Sequence, residues 1–331
     1  MVRIPTGLFA LLFSWQVSAA GNFPAAGSIP GQDSPPVADS VPVVDSLPTT
    51  DTTLLGSCLR FLAADSLQGR AAGTRGNQLA AAFIADRFRE AGLHPLLNNS
   101  YYDTIPRYTG DTLYSCNLLG ILPGTSRPEE WVLITAHFDH LPPGPRNKIY
   151  NGANDNASGT AALLALLKIF AAKGATGRSL VFCAFNMEEK GLVGSAALAS
   201  KLPAEKIVAL INLEMLGYPQ VGRNRFFMTG EKESDLARLF RHTLQNSGIR
   251  LVGERGDLFQ RSDNYPFAKK GIPAHSLMAS TDAWRCYHQP CDDIERLDIP
   301  NLAALVNGIA RAILPVAAAI QTPKRINRER L

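Results

Sequence analysis

Trp131-Val132-Leu133-Ile134-Thr135-Ala136-His137-Phe138-Asp139-His140 opens as an apolar run and closes on two imidazoles around a carboxylate. Residues 131–136 are too few for a helix and read as a short buried strand. Outward from it, residues 158–172 form an Ala/Leu-rich helical pattern, and 179–185 and 207–213 are two more strand-like runs. Residues 272–277 make a weaker strand, because Pro273 is tolerated only near a strand's start or on an edge. Residues 78–91 carry Ala80, Ile84, Phe88 and Ala91 at helical spacing, with Gly92 where a C-terminal cap belongs. Residues 235–246 read as a helix, and a closing helix from Asn301 should bend or end at Pro315. Strands alternating with helices imply an α/β chain, a parallel-rich sheet between helices. In such sheets function collects at the carboxyl ends of strands, where His137 and Asp139 stand.

The 331 residues are 46% hydrophobic and 19% charged, which excludes wholesale disorder and a fibrous chain. Residues 1–20 read as an export signal: Arg3, a short apolar core over 7–17, and small residues Ser18, Ala19 and Ala20 for cleavage. That core is about half a membrane span, and no later segment reads as apolar enough to cross a bilayer. Residues 21–51 read as a linker rich in Pro, Ala and Ser, residues 52–322 as one domain, and 323–331 as a basic tail left in solvent. The formal charge of +4 sits in Arg3 and the tail, so residues 21–322 are neutral and carry no nucleic-acid footprint. Cys286 and Cys291 bracket a short loop that a disulfide would staple. Cys183 reads as a buried thiol, and Cys58 and Cys116 are left as a possible second pair.

Four clusters could carry chemistry. His137 is joined by Asp139, whose carboxylate can accept the second imidazole N–H and fix the tautomer. Gly152-Ala153-Asn154-Asp155-Asn156-Ala157-Ser158-Gly159 leads into a helix and would pass for an N-cap, but small residues around Asp155 let the backbone approach something closely. Glu188-Glu189 follow an apolar strand directly, where one carboxylate can ligate a metal and the other take a proton. Glu214 stands among Leu213, Met215 and Leu216, where an unpaired acid is costly. Tyr287-His288-Gln289-Pro290 adds a late imidazole, with Asp292, Asp293 and Glu295 nearby. Nitrogen and oxygen donors without thiolates suit zinc, and a carboxylate-rich set suits two metals bridged by one Asp.

In this order and spacing, over about residues 55–315, the motifs resemble the di-zinc aminopeptidases of metallopeptidase family 28, in the MH clan with glutamate carboxypeptidase II. The segment Leu62-Ala63-Ala64-Asp65-Ser66-Leu67-Gln68-Gly69-Arg70 is similar to the family's opening. The resemblance implies a three-layer α/β/α sandwich with a mixed, mostly parallel sheet, and an exported, periplasmic or secreted zinc aminopeptidase. Two zinc ions would be held by His137, Asp155, Glu189, Glu214 and His288, with Asp155 bridging and a cis peptide before Asn156. Glu188 would be the general base for a metal-activated water, Asp139 would orient His137, and Tyr287 would stabilise the oxyanion. Peptides with a free N-terminus would be the substrates of a compact monomer. Two departures stand out: Glu214 where many members have Asp, and Asn264 in Arg261-Ser262-Asp263-Asn264-Tyr265-Pro266-Phe267 where many have His. A glutaminyl cyclase on the same scaffold and a non-catalytic homologue are the rivals. Cyclases usually carry Trp where Tyr287 stands, and every ligand position here holds a competent residue.

Overall fold

The computed structural model describes residues 47–105 and 115–331. The expected leader and most of the expected linker lie outside them. Nine strands form one sheet: β1 (His94–Pro95), β2 (Tyr102–Thr104), β3 (Cys116–Leu122), β4 (Arg127–His137), β5 (Arg178–Phe185), β6 (Ile207–Glu214), β7 (Arg225–Met228), β8 (Arg250–Val252) and β9 (Ala274–Met278). Their order is β1-β3-β5-β4-β6-β9-β7-β8, with β2 also on β3. The central β5-β4-β6-β9 block is parallel, while β3 joins β5 and β7 joins β9 antiparallel. The sheet is therefore mixed and parallel at its centre.

Helices cover both faces: α1 (Thr52–Leu62), α2 (Arg75–Glu90), α3 (Gly159–Lys173), α4 (Val193–Lys201), α5 (Leu236–Thr243), α6 (Tyr265–Ala268) and α7 (Ile299–Ala317). Alternate residues of each strand enter different cores. Val132, Ile134, Phe182, Ala184, Ile211 and Leu213 pack with α1, α2, α3, α5 and α7. Leu133, Val181, Cys183, Phe185 and Leu210 pack with α4 and α6. Two covered faces explain why these strands read as continuous apolar runs. β4 lies between β5 and β6, so the chain leaves it to one side and returns to the other. A crevice opens at that switch point, at the strands' carboxyl ends.

Asp51 caps α1 by accepting from the Thr53 and Leu54 amides at 3.0 and 3.2 Å. Thr50, one residue earlier, exchanges two hydrogen bonds with the Asn307 side chain. α2 begins at Arg75 after the Thr74 cap and ends before Gly92, which adopts φ +73°. Pro273 immediately precedes β9, an interior strand rather than an edge. α7 ends two residues past Pro315. It is long and apolar enough to cross a membrane, contrary to the sequence expectation, but most of it is buried in this domain. The basic tail also differs from expectation. Ile326 is buried, its amide donates to the Gly271 carbonyl, and Arg325 donates to the carbonyls of Ile207 and Ala204. Pro323 is buried as well and Leu331 packs against the same core as Ile326, so apolar residues among the cations anchor the segment. Cys58 and Cys116 do not pair; Cys58 is buried on α1 and Cys116 opens β3, and Cys183 is a buried thiol.

His275 lies inside β9, wholly enclosed. Its Nδ1–H donates to the Thr229 carbonyl at 2.9 Å, and Nε2 accepts from the Ser234 hydroxyl at 2.7 Å. Burial pushes its pKa down to about 4, only partly offset by the Thr229 bond. The unfolded chain binds a proton there below about pH 6.5 and the folded chain does not. Stability is therefore present above that pH and is lost as pH falls toward 4. The loss reaches about 3 kcal/mol at the lower end. The difference in thermal midpoint between wild type and His275→Asn should shrink over this window; a constant difference from pH 7 to pH 4 would contradict the assignment.

Candidate functional site

Three strand ends and two further segments supply the site. β4 ends at His137, β6 ends at Glu214, and Glu188 and Glu189 follow β5 across the turn Asn186-Met187. Asp155 comes from the irregular segment Ala153–Ser158 that leads into α3, and His288 from the loop before α7. The structure brings all eight expected residues to this crevice, and adds one that sequence reading left unassigned. His140 joins Asp155, Glu189 and His288 in one group of donor atoms, while His137, Glu188 and Glu214 form a second. His140 sits in the same quoted decapeptide as His137, three residues on, so its signal was available.

Asp155 joins the two groups. Its Oδ1 lies 3.4 Å from Nε2 of His137, and its Oδ2 lies 3.1 Å from Nε2 of His288 and 3.9 Å from Nδ1 of His140. Glu189 faces the same pair: Oε1 is 2.9 Å from Nδ1 of His140 and Oε2 is 3.2 Å from Nε2 of His288. The Asp155–Asn156 peptide is cis, as the resemblance implies. The helix-cap role suggested for this stretch belongs to the neighbours. Asn156 accepts from the Gly159 and Met215 amides, and Asn154 accepts from Gly217 and Tyr218, which ties the segment to the end of β6. Gly152, at φ +55°, has no room for a Cβ because the His140 ring and the Asp155 carbonyl press against it. This is the close approach that the small residues foreshadow.

Asp139 does not do what sequence reading expects. His137 Nδ1–H points at the main-chain carbonyl of Asp139, 3.2 Å away, and the Asp139 carboxylate is 3.8 Å from that nitrogen. The carboxylate instead accepts the amides of Glu188 (3.2 Å) and Glu189 (3.4 Å). Those two N–H groups leave the sheet at the end of β5 and need acceptors, so Asp139 fixes the turn bearing both glutamates. Glu214 is anchored through Oε2 by Ser262 and by Asn212 Nδ2. Asn264 lies buried away from the crevice, donating to the Phe259 and Ala274 carbonyls and accepting from Ser276. A disulfide between Cys286 and Cys291 staples the loop that carries Tyr287 and His288, whose rings stack at 3.9 Å.

So many carboxylates in one buried place perturb one another. Burial raises Asp139 and Glu214 to about 7 and raises Glu188 strongly. Burial would lower His288, but Asp155 and Glu189 carry it up to about 10. Burial opposes ionisation of Asp155 as well, yet His137 and His288 pull its pKa far down. Burial also raises the Tyr287 phenol, with the site carboxylates adding to it, so its O–H stays protonated. The residues fit a divalent cation. Nε2 of His137, His140 and His288 are buried without a hydrogen-bond partner, beside ionised oxygens, and no thiolate competes. A cleft beside the site is lined by Asp155, Glu188 and Glu214 together with Met215, Leu258, Met278 and Tyr287. The Arg261–Asp282 ion pair (2.5 Å) adjoins it.

The model of peptidase family M28 matches residues 117–313 of this chain. Leupeptin-inactivating enzyme 1 of Streptomyces exfoliatus is 26% identical over 290 residues, covering 81% of this chain and 61% of that enzyme. The chain thus spans less than two thirds of that relative's length, and about a third of a Pseudomonas aeruginosa aminopeptidase. Among solved structures, BSAP, a zinc aminopeptidase from Bacillus subtilis, superposes with a TM-score of 0.69 at 16% identity, covering 84% of this chain and 97% of that one. A Bacteroides thetaiotaomicron glutaminyl cyclase superposes with a TM-score of 0.68 at 18% identity, covering 81% and 99%. At these identities the structural likeness is one of fold.

Metal binding should be linked to protons. Glu214 holds its proton to about pH 7 in the metal-free site and would have to release it to hold a cation. Zinc affinity should therefore fall by at least about tenfold per pH unit below pH 7 and, because His288 holds its proton to about pH 10, keep rising above pH 7. A chelator-competition titration from pH 5 to pH 8 checks this; an affinity constant over that range would refute the proton linkage.

Proposed function

The chain belongs to peptidase family M28, and on that premise we propose that it is a zinc-dependent aminopeptidase that removes residues from the free N-terminus of peptides. The observation that carries the reading is the placement of Asp155, with one oxygen toward His137 and the other toward His288. One carboxylate reaching both donor groups supports two zinc ions per chain. His137, Asp155 and Glu214 would hold one, and Asp155, Glu189 and His288 the other. When bound, zinc supplies Lewis-acid polarisation of the scissile carbonyl and makes water more acidic.

The chain's own groups then do the rest. Glu188 lines the cleft and accepts the proton of the attacking water as the new C–O bond forms. Burial raises its pKa, which makes its carboxylate a stronger base. The same carboxyl delivers that proton to the amine as the C–N bond breaks. Asp139 keeps Glu188 in place through its amide. Tyr287 lines the cleft with its phenol protonated and would donate to the oxygen that gains charge. Met215, Leu258 and Met278 offer an apolar wall for the first side chain of the substrate.

A glutaminyl cyclase is the second reading, because the fold matches both activities equally well; Tyr287, where cyclases usually carry Trp, weighs against it. Export rests on the leader-like residues 1–20 and on the Cys286–Cys291 bridge, which suits an oxidising compartment. The working form would be a monomer.

Purified residues 21–331 with zinc should shorten free peptides stepwise from the N-terminus and spare acetylated ones, read by mass spectrometry. Loss of ammonia confined to peptides with N-terminal Gln would move the assignment to the cyclase. Glu188→Gln should retain its zinc and lose about 10²–10⁴ in turnover. Asp155→Ala should lose both metals, and stoichiometric zinc in that variant would sink the bridging role.

A further inference from the structure

The opening segment Leu62-Ala63-Ala64-Asp65-Ser66-Leu67-Gln68-Gly69-Arg70 has no part in the chemistry above, yet its last residue lies directly behind it. Arg70 is completely buried, and its guanidinium spends its donors on main-chain carbonyls. Nε donates to Phe138 at 2.7 Å, Nη1 to Leu62 at 3.1 Å and to Asn151, and Nη2 to Gly152 at 2.8 Å and Asp155 at 3.5 Å. Phe138 is the residue between His137 and Asp139. Asn151, Gly152 and Asp155 belong to the loop that carries the carboxylate shared by both donor groups. One side chain thus sets the end of β4 and the Asp155 loop in register.

The same turn reaches the third ligand loop. The Arg70 carbonyl accepts from Asn77 Nδ2 at 2.9 Å, and the Asn77 and Asn186 side-chain amides exchange two hydrogen bonds at 2.9 and 3.1 Å. Asn186 stands two residues before Glu188. Gln68, Gly69 and Arg70 all have positive φ, and Gly69 has no space for a Cβ because the carbonyls of Leu141 and Tyr150 close on it. The backbone is bent into that shape to deliver a guanidinium under the site. From the opposite side, Asp292 accepts the amides of Asn154 (2.7 Å) and Asp155 (3.0 Å). A guanidinium takes the loop's carbonyls and a carboxyl group takes its amides.

We propose that Arg70 is a positioning residue for the metal centre, and that with Asp292 it clamps the Asp155 loop from both sides, donors on one and acceptors on the other, so that its ligands are preset before a metal arrives. The inference rests on the metal-centre reading above, but the clamp itself is present in the bare chain. Arg178 is the natural control. It is equally buried and also donates to carbonyls, those of Val316 and Gln321, but it opens β5, at the opposite end of the strand from the glutamates, and pairs with Glu130. A purely structural arginine would behave as Arg178 does.

The test compares Arg70→Lys with Arg178→Lys. Lysine keeps the charge but cannot span five carbonyls from one nitrogen. In Arg70→Lys the zinc dissociation constant should rise at least about tenfold, and zinc-saturated kcat should fall about as much with KM within about twofold. In the metal-free protein, amides of residues 153–157 should exchange with deuterium faster than in wild type. Arg178→Lys should lower the thermal midpoint while zinc affinity and exchange in this loop stay at wild-type values. Should Arg70→Lys fail to fold, Asp292→Asn decides on the same readouts. Folded Arg70→Lys with unchanged zinc affinity and unchanged loop exchange overturns the proposal, as does an equal effect in Arg178→Lys. A wild-type chain that bound no zinc would refute the metal-centre reading, and loop exchange in the bare protein would still judge the clamp.

Discussion

Asp139, Asp155, Glu188, Glu189 and Glu214 crowd together at the carboxyl ends of three adjacent strands, largely out of solvent. An isolated ion in such a place costs several kcal/mol, so the crowd persists only if positive charge and hydrogen-bond donors surround it. His137, His140 and His288 stand against the carboxylates on the crevice side, and Arg70 lies behind them. Burial lowers the Arg70 pKa to about 10, and the fields of Asp292, Asp155, Asp139 and Glu189 hold it there as a cation. The remaining imbalance is what a divalent cation would relieve. The sheet order, with β4 between β5 and β6, brings the three strand ends that bear these residues to one crevice.

Within the crevice, chemically similar residues do different work. Asp155 faces the donor groups while Asn154 and Asn156 on either side hold the backbone. Asp139 and Asp292 use their carboxylates on amides, two each. Paired bonds of this kind keep a loop in one conformation. The disulfide from Cys286 to Cys291 adds a covalent hold on the loop that bears His288 and precedes Asp292. Every segment contributing a candidate ligand is thus restrained by a group outside that set.

Much of this was legible in the chain. The central strands β4, β5, β6 and β9 and the helices α2, α3, α5 and α7 follow from apolar runs and helical spacing, because burial on both faces leaves an unmistakable pattern. Strands β1, β2, β7 and β8 are two to four residues long, too short to show any period. β3 is longer, but its antiparallel place beside β5 is a matter of pairing that no local pattern encodes. The tail's attachment depends on Ile326 and Leu331 among cations and on two bonds from Arg325, signals that composition outweighed.

The order of His137, Asp155, Glu188-Glu189, Glu214 and His288, each at a strand end or helix approach, was determined by sequence alone, because ligand type and local context are written in neighbouring residues. Tertiary structure decided which groups serve those residues. Asp139 turned from the imidazole to two amides, His140 came to face Glu189, Ser262 and Asn212 took Glu214, and Arg70 reached three loops from far up the chain. The physical reason is that a buried hydrogen-bond group takes whichever partner the packed chain brings within about 3 Å. That choice is made across dozens of residues of separation, where spacing along the sequence carries no information.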